Sequence, residues 1–324
     1  MSIINQYADR FLPAYSNYPQ GHYVSLLLVR RIESEAIFRT EGSGDPLSKE
    51  FVHAGLDGDE VIQRVVISKR KQTAVERRTG RELLRKRELL FAKDDKSGVC
   101  SLNRNNPCEK CVDCMIYGYA AGGGGAQKSR VITDDAFSLH AARIVTDIKQ
   151  FNAPFEAGTP FDRETGKRMT GINPDEYVKP ETIFVDIETV RDLTADEFRY
   201  VLGNILRSNR YGAISSRIGK VKNVLAGVIF SDTEVFSNLE LTQAVYDHLR
   251  NGGAEPDFPL SLNAVTDAVR TASDTLSKRV VGQVKPLPLQ EVSELVDEIT
   301  ALYGNEEAVK TLLERTSKLY GPRS

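Results

Sequence analysis

Apolar residues along this chain fall into two spacings, one suited to strands and one to helices. His22 to Arg31 reads His-Tyr-Val-Ser-Leu-Leu-Leu-Val-Arg-Arg, a short β-rich run that predicts a buried strand. Glu35 to Thr40 is expected to return antiparallel to it. Val61 to Ser68 alternates into Val65-Val66-Ile67 and predicts another strand, as do Thr182 to Val190 and Lys220 to Phe230. Leu83, Leu84, Leu89 and Leu90 give Arg77 to Phe91 a helical pattern. Thr194 to Ser208 predicts a helix with Thr194 as N-cap and Glu197 at capping-box spacing. Helical periodicity then dominates: Asn238 to Asn251, Ser261 to Leu276, Leu289 to Tyr303, and Glu306 to Leu319, the last stopped by Tyr320-Gly-Pro322. Gly42 to Asp45 and Gly55 to Asp59 are turn-rich connections. There is no internal repeat or low-complexity tract. Strands and helices that intermix without regular β-α-β spacing predict an α+β fold carrying insertions.

At 324 residues and 40% hydrophobic content the chain suits one large decorated domain or two domains. The N-terminal sequence lacks a basic stretch followed by an apolar core, and no apolar run is long enough for a membrane span, so a soluble cytoplasmic protein without a membrane partner is expected. The net charge of −2 conceals a segregation. Residues 61–150 carry 18 basic and 10 acidic groups, whereas residues 231–324 carry 9 and 15. Within the basic region Lys69, Arg70, Lys71, Arg77, Arg78, Arg81, Arg85, Lys86, Arg87 and Lys93 face only Glu76, Glu82 and Glu88. That density favours phosphate neutralisation and counterion release over a balanced solvated helix.

All four cysteines, Cys100, Cys108, Cys111 and Cys114, follow immediately, spaced C-x7-C-x2-C-x2-C. Four soft thiolates with short steps suit a closed structural zinc site. A ferredoxin-type cluster lacks its C-x3-C-P continuation here, and metal-free thiols or a disulfide remain a further alternative. His140 is the nearest histidine that could replace a thiolate, against its bland reading as a hydrogen-bonded core side chain.

Three more segments bear on chemistry. Gly122 to Arg130 is a glycine run ending in Lys128-Ser-Arg130; Gln127 stands where a nucleotide P-loop needs glycine, so what remains is a phosphate-approaching backbone or a flexible linker. The loop with Arg207, Arg210, Tyr211, Arg217 and Lys220 offers bidentate phosphate contacts and an aromatic ring for base stacking, or else a surface turn whose tyrosine packs on the core. Phe151 to Pro180, rich in proline and glycine, predicts an extended excursion whose Phe155, Phe161, Lys167, Arg168 and Met169 could wedge between bases or dock on a neighbouring subunit. Asp134 and Asp135 form an acidic pair, but adjacent strand residues point to opposite faces, so a turn or capping role competes with metal-dependent strand cleavage.

Gly80-Arg-Glu-Leu-Leu-Arg-Lys-Arg-Glu-Leu-Leu-Phe-Ala-Lys93, Cys111-Val-Asp-Cys-Met-Ile-Tyr-Gly118, the Gly122 to Arg130 loop and Tyr211-Gly-Ala-Ile-Ser-Ser-Arg-Ile-Gly219 together resemble the Cas-seven-like backbone subunit (RAMP superfamily) of the type I-D CRISPR Cascade effector complex. The resemblance thins in the C-terminal helices. It implies a modified RRM/ferredoxin-like core over residues 1–232, with a basic, zinc-binding and glycine-rich insertion at 69–130, a thumb-like hairpin at 151–180, and a mainly helical part at 233–324. It also implies that copies line up head to tail along one CRISPR RNA, beside other Cascade subunits, each gripping the guide backbone while the bases pair with target DNA. On that basis Lys69, Arg70, Lys71, Arg77, Arg78, Lys128, Arg130, Arg210, Tyr211 and Arg217 are the RNA-binding candidates, and the excursion is the thumb candidate. The chain lacks the aromatic RNP1 signature of a common RRM; Tyr117-Gly-Tyr119 only hints at it, so backbone gripping by loops fits better than stacking on a sheet. Two rival classes stay open: a metal-dependent single-strand nuclease subunit using Asp134 or Asp135, and a zinc-stabilised adaptor that binds protein only.

Overall fold

The computed structural model describes residues 2–39, 47–94, 98–122, 125–151, 156, 158–159, 161–162, 164–167, 173–250 and 253–320. In chain order the elements are α1 (Ile3–Gln6), β1 (Tyr23–Ile32), β2 (Lys49–His53), β3 (Val61–Ile67), α2 (Lys69–Lys86), α3 (Val112–Tyr117), β4 (Tyr119–Ala120), β5 (Ala126–Gln127), β6 (Val131–Thr133), β7 (Ala136–Ala141), α4 (Ala142–Val145), β8 (Thr146–Phe151), β9 (Asn173–Val178), β10 (Ile183–Arg191), α5 (Ala195–Arg207), β11 (Val221–Ser231), α6 (Asn238–Leu249), α7 (Leu262–Ser277), β12 (Val284–Pro286), α8 (Leu289–Gly304) and α9 (Glu306–Lys318). The class is mixed α and β, as the intermixed patterns predict.

One antiparallel sheet organises the molecule, in the order β12-β11-β1-β10-β7-β3-β2. β6 pairs with Glu188–Val190 and β7 with Phe184–Val185, so the two share one lane of β10, interrupted at Asp134 and Asp135. The central strands β1, β10 and β11 are mostly apolar on both faces because both are covered, and their buried exceptions, among them Arg30, Asp186 and Glu188, are paired with one another. Val24, Leu26 and Leu28 of β1 lie in the same cluster as Phe198 and Leu202 of α5, Leu295 of α8 and Leu313 of α9. Leu27 and Val29, pointing the other way, join Leu241 and Val245 of α6 and Val265 and Val269 of α7. Burying each such aliphatic side chain stabilises by about 1.5–3 kcal/mol.

Three expectations need correction. Glu35 to Arg39 does not return along β1, whose two edges are filled by the long strands β10 and β11; Ala36 makes an isolated bridge to Val178, and Thr40 lies outside the described residues. The basic helix begins at Lys69, eight positions before the apolar pattern does, because its first turns face the interior with Gln72 and Glu76 instead of aliphatic residues. It also stops sooner, at Lys86: Glu88 adopts φ 56° and Leu89 N–H bonds the Leu84 carbonyl at 2.8 Å, closing the last turn. α5 carries the reciprocal capping box of Thr194 and Glu197 that the spacing predicts.

Candidate metal centre and basic face

Cys100, Cys108 and Cys111 sit on the connection between α2 and α3, and Cys114 in the first turn of α3. All four are buried, and their sulfurs lie within 4.8 Å of one another. A tetrahedron with metal–sulfur bonds of about 2.3 Å has edges of about 3.8 Å, so this donor set fits a four-thiolate ion with little rearrangement. Backbone N–H groups already point at the sulfurs: Cys108 N–H to Cys100 Sγ at 3.4 Å, Cys111 N–H to Cys108 Sγ at 3.3 Å, and Cys114 N–H to Cys111 Sγ at 3.4 Å, the last also capping α3. No disulfide joins them. Hydrogen bonds from Cys108, Cys111 and Cys114 pull the Cys100 thiol far below its ordinary range, while those with Cys100, Cys108 and Cys114 push Cys111 up. Four such sulfurs can be thiolates together only around a cation. His140 is not among them: it is buried elsewhere, with Nε2 at 3.0 Å from the Asp257 carbonyl and its ring edge-on to Phe258.

The cysteine loop is fastened to α2 by Asp113, a residue whose role no spacing rule announces. Its fully buried carboxylate takes Arg77 Nε at 3.0 Å and Nη2 at 2.8 Å, and Arg81 Nη1 at 2.7 Å. Arg81 also donates to the Cys100 carbonyl at 2.6 Å and reaches Cys100 Sγ at 3.6 Å. Burial opposes the charge on Arg77, yet the bonds to Asp113 outweigh it and hold the guanidinium charged. On the far side of the loop Gly118 has φ 77°, and a Cβ there would stand 2.5 Å from the Gln127 carbonyl oxygen, so glycine is required where the Gly122 to Arg130 segment folds back. Among the described residues the cysteines are the only group of three or more potential metal-ligating side chains brought together.

The ten RNA-binding candidates divide by burial. Lys69 is buried, its Nζ 2.5 Å from Asp186 in an interior network with Arg30, Gln72, Glu76 and Glu188. Burial alone would raise the Asp186 carboxyl, but Lys69 and Arg30 hold it well below the usual range. Arg77 is committed to Asp113. Arg130 is buried against Glu197, with its guanidinium over the Tyr15 ring. Tyr211 is 2% exposed; its hydroxyl meets Arg30 Nη1 at 3.2 Å and Asn223 Nδ2 at 3.0 Å. In this structure the ring is therefore a core side chain and offers no face to a base. Lys71 is partly buried and its ammonium donates to the Arg39 carbonyl. Arg70, Arg78, Lys128, Arg210 and Arg217 are exposed.

Of these exposed cations, Arg70 and Arg78 stand on α2, and Arg210 and Arg217 on the loop that follows α5. α2 and α5 pack together there: Thr79 Oγ1 of α2 lies 3.0 Å from Ser208 Oγ at the end of α5. Within the loop that follows, Arg210 Nη1 donates to the Ile218 carbonyl at 3.2 Å. Arg207, also exposed, stacks over Tyr303. The two acidic candidates do not form a paired site. Asp135 Oδ1 accepts the Lys69 N–H at 3.0 Å at the start of α2, and the carbonyls of Asp134 and Asp135 accept Asn238 Nδ2 at 2.9 and 3.3 Å. That is a capping and turn arrangement.

The excursion is a two-stranded arm, β8 paired with β9 from Thr146↔Val178 to Phe151↔Asn173, separate from the main sheet. Phe161 is exposed, and Asp162 N–H bonds the Lys167 carbonyl at 2.9 Å in a turn. Phe155, Arg168 and Met169 lie outside the described residues.

The family described as Csc2 Crispr matches residues 10–313. The chain belongs to the Csc2 CRISPR family. No curated protein matches the sequence. The crystal structure of Thermofilum pendens Csc2 is similar to this fold at 17% identity and TM-score 0.67, over 99% of this chain and 94% of that one. A chain of a CRISPR RNA-guided surveillance complex is similar at 11% identity and TM-score 0.52, over 86% of this chain and 99% of that one. At these identities the two likenesses establish a shared fold. Among the described residues no helix is long and apolar enough to cross a membrane.

Proposed function

We propose that this Csc2-family chain is a backbone subunit of a type I-D CRISPR effector complex that binds the guide RNA through its phosphates. The observation that carries this reading is the set of exposed arginines Arg78, Arg207, Arg210 and Arg217 on α2, the last turn of α5 and the following loop, with α2 and the end of α5 in contact at Thr79 and Ser208. Arginines held on rigid elements suit backbone gripping, which leaves the bases free to pair with target DNA. Arg70, Lys71 and Lys128 extend the contact. Lys69, Arg77, Arg130 and Tyr211 then support the surface from within, as their partners suggest.

The strand order also supports a modified RRM/ferredoxin-like core: β1, α2, the β6/β7 lane, β10, α5 and β11 arrange their strands as β11-β1-β10-β7. α6 and α7 cover one sheet face, consistent with the missing RNP1 aromatics. The cysteine group, as the holder of one Zn²⁺, would supply a cross-link for the 69–130 insertion; the arm bearing Phe161 and Lys167 would act as a thumb; and copies would stack head to tail in the cytoplasm with other Cascade subunits. Purifying the protein with its companion subunits, extracting bound nucleic acid and sequencing it tests the reading. Discrete repeat-derived RNA is expected, and a nucleic-acid-free assembly would overturn it in favour of a protein-only adaptor.

A further inference from the structure

One edge of the main sheet is only partly closed. β12 pairs with Ile229–Ser231 of β11, and Leu287 N–H extends that pairing to the Val228 carbonyl at 2.8 Å. The chain then leaves the lane for α8. From Lys222 to Gly227 β11 has no strand on its outer side among the described residues. Only the ends of this stretch are sealed: Val221 N–H donates to the Asn209 carbonyl at 3.0 Å, and Arg270 Nε donates to the Ala226 carbonyl at 2.9 Å.

The open stretch lies at the bottom of a trough. α7 and α8, which pack on opposite sheet faces, rise on either side of the edge and leave a cavity of about 640 Å³ floored by Lys222 to Leu225. A second cavity of about 260 Å³ shares Arg270 and Val292 with it and continues along the edge to β12. The walls are mixed: Leu262 from α7 and Val292 and Val296 from α8 alternate with Asn263, Thr266, Ser293 and charged side chains. Six strand residues span about 20 Å, enough for a short extended peptide. Free edges bind strands because each unpaired N–H and C=O wants a partner, and β12 shows that this lane accepts one.

Charge selects the occupant. Exposed Asp297 lines the first cavity and exposed Asp274 the second, and among the described residues neither has an ion pair. Arg270 is already committed to Asp267 at 3.0 Å and to the Ala226 carbonyl. Lys222 is the remaining cation on the lining. This chain's own spare strand edge, β2, is a poor donor, since its one cation, Lys49, is tied to Glu176. We propose that the β11 edge is a docking lane for an extended, lysine- or arginine-bearing segment of a different polypeptide in the assembled complex, added as a strand collinear with β12.

This rests on the chain being a complex subunit, which RNA retention reads separately. Hydrogen exchange is measured on the protein alone, on protein with guide RNA, and on the complex with its companion subunits. Peptides covering residues 222–227 are expected to slow about tenfold or more only in the full complex. Unchanged exchange there overturns the lane; slowing already present with RNA alone overturns the different-polypeptide assignment, because the occupant would then be a second copy. Asn263→Trp with Ser293→Trp fills the trough from exposed positions, and Asp274→Lys with Asp297→Lys reverses its charge. Each pair is expected to abolish the slowing and release a companion subunit while bound RNA and Tm stay at wild-type values. Retention of both protection and companion in both variants would also overturn it.

Discussion

Arg130 and Arg78 are equivalent as cations in the chain, yet they do opposite things. Arg130 is 7% exposed and bonded to Glu197, the same carboxylate that completes the α5 capping box and accepts Tyr320 Oη at 2.7 Å. Removing it strands a buried carboxylate, so Arg130→Ala is expected to lower unfolding free energy by about 3–5 kcal/mol in a denaturant titration. Arg78→Ala, at an exposed helix position, should change stability by less than about 0.5 kcal/mol while weakening RNA retention. Equal stability losses would show that burial does not separate the two roles. His140 gives a pH signature. Burial favours its neutral form and Arg64 opposes its charge, against the Asp257 carbonyl and Glu255, so its folded pKa lies below the ordinary 6.5. Below about pH 6.5 the unfolded chain takes up the proton first, and stability falls as pH drops towards the lowered folded value. Urea midpoints at pH 7.5 and 5.5 should therefore differ less in His140→Gln than in wild type; the comparison cancels acid loss at the cysteines, which both proteins share.

At the scale of elements, α2 carries two different surfaces. Its inner face meets Arg30, Asp186 and Glu188 through Lys69, Gln72 and Glu76, and its next turns hold Asp113 through Arg77 and Arg81. This explains what was legible in the sequence. The apolar strands and the C-terminal helices announced themselves because aliphatic periodicity reports burial, and Cys-x2-Cys spacing reports sulfurs brought close together. The first two turns of α2 did not, because their buried side chains are polar and paired to strands distant in sequence, Glu76 to Arg30 46 residues back and Gln72 to Asp186 and Glu188 114 and 116 residues on. Charged Asp186 and Glu188, two apart on a strand and thus on one face, were the available signal, with Arg30 inside an apolar run as their counterpart. Glu35 to Thr40 misled for a related reason: local pairing with β1 loses to longer partners that local pattern cannot rank. Asp113→Asn leaves all four sulfurs in place, so zinc content measured by atomic emission should remain near one per chain while Tm falls. Cys111→Ala should lose both metal and Tm. If Asp113→Asn leaves Tm unchanged, the bond between the cysteine loop and α2 contributes nothing to the fold.

For the whole molecule the net charge of −2 says little, since the cations that matter are those left outside after folding. Lys69, Arg77, Arg81 and Arg130 are consumed by Asp186, Asp113 and Glu197, whereas among the described residues Arg78, Arg207, Arg210 and Arg217 have no ion pair. The exposed remainder sets how binding responds to salt. For a single-stranded guide each neutralised phosphate contributes about 0.7 to the slope of log affinity against log salt. Reversing charge at Arg78, Arg210 and Arg217 together removes three such contacts, so the slope in a filter assay across a sodium chloride series should flatten by about 2. The same substitutions on Lys69, Arg77 and Arg130 should instead unfold the chain, because each breaks an interior pair. A flattened slope with an unchanged melting curve therefore assigns the exposed arginines to the guide, whereas an unchanged slope removes them from the interface and moves the search to Arg70, Lys71 and Lys128.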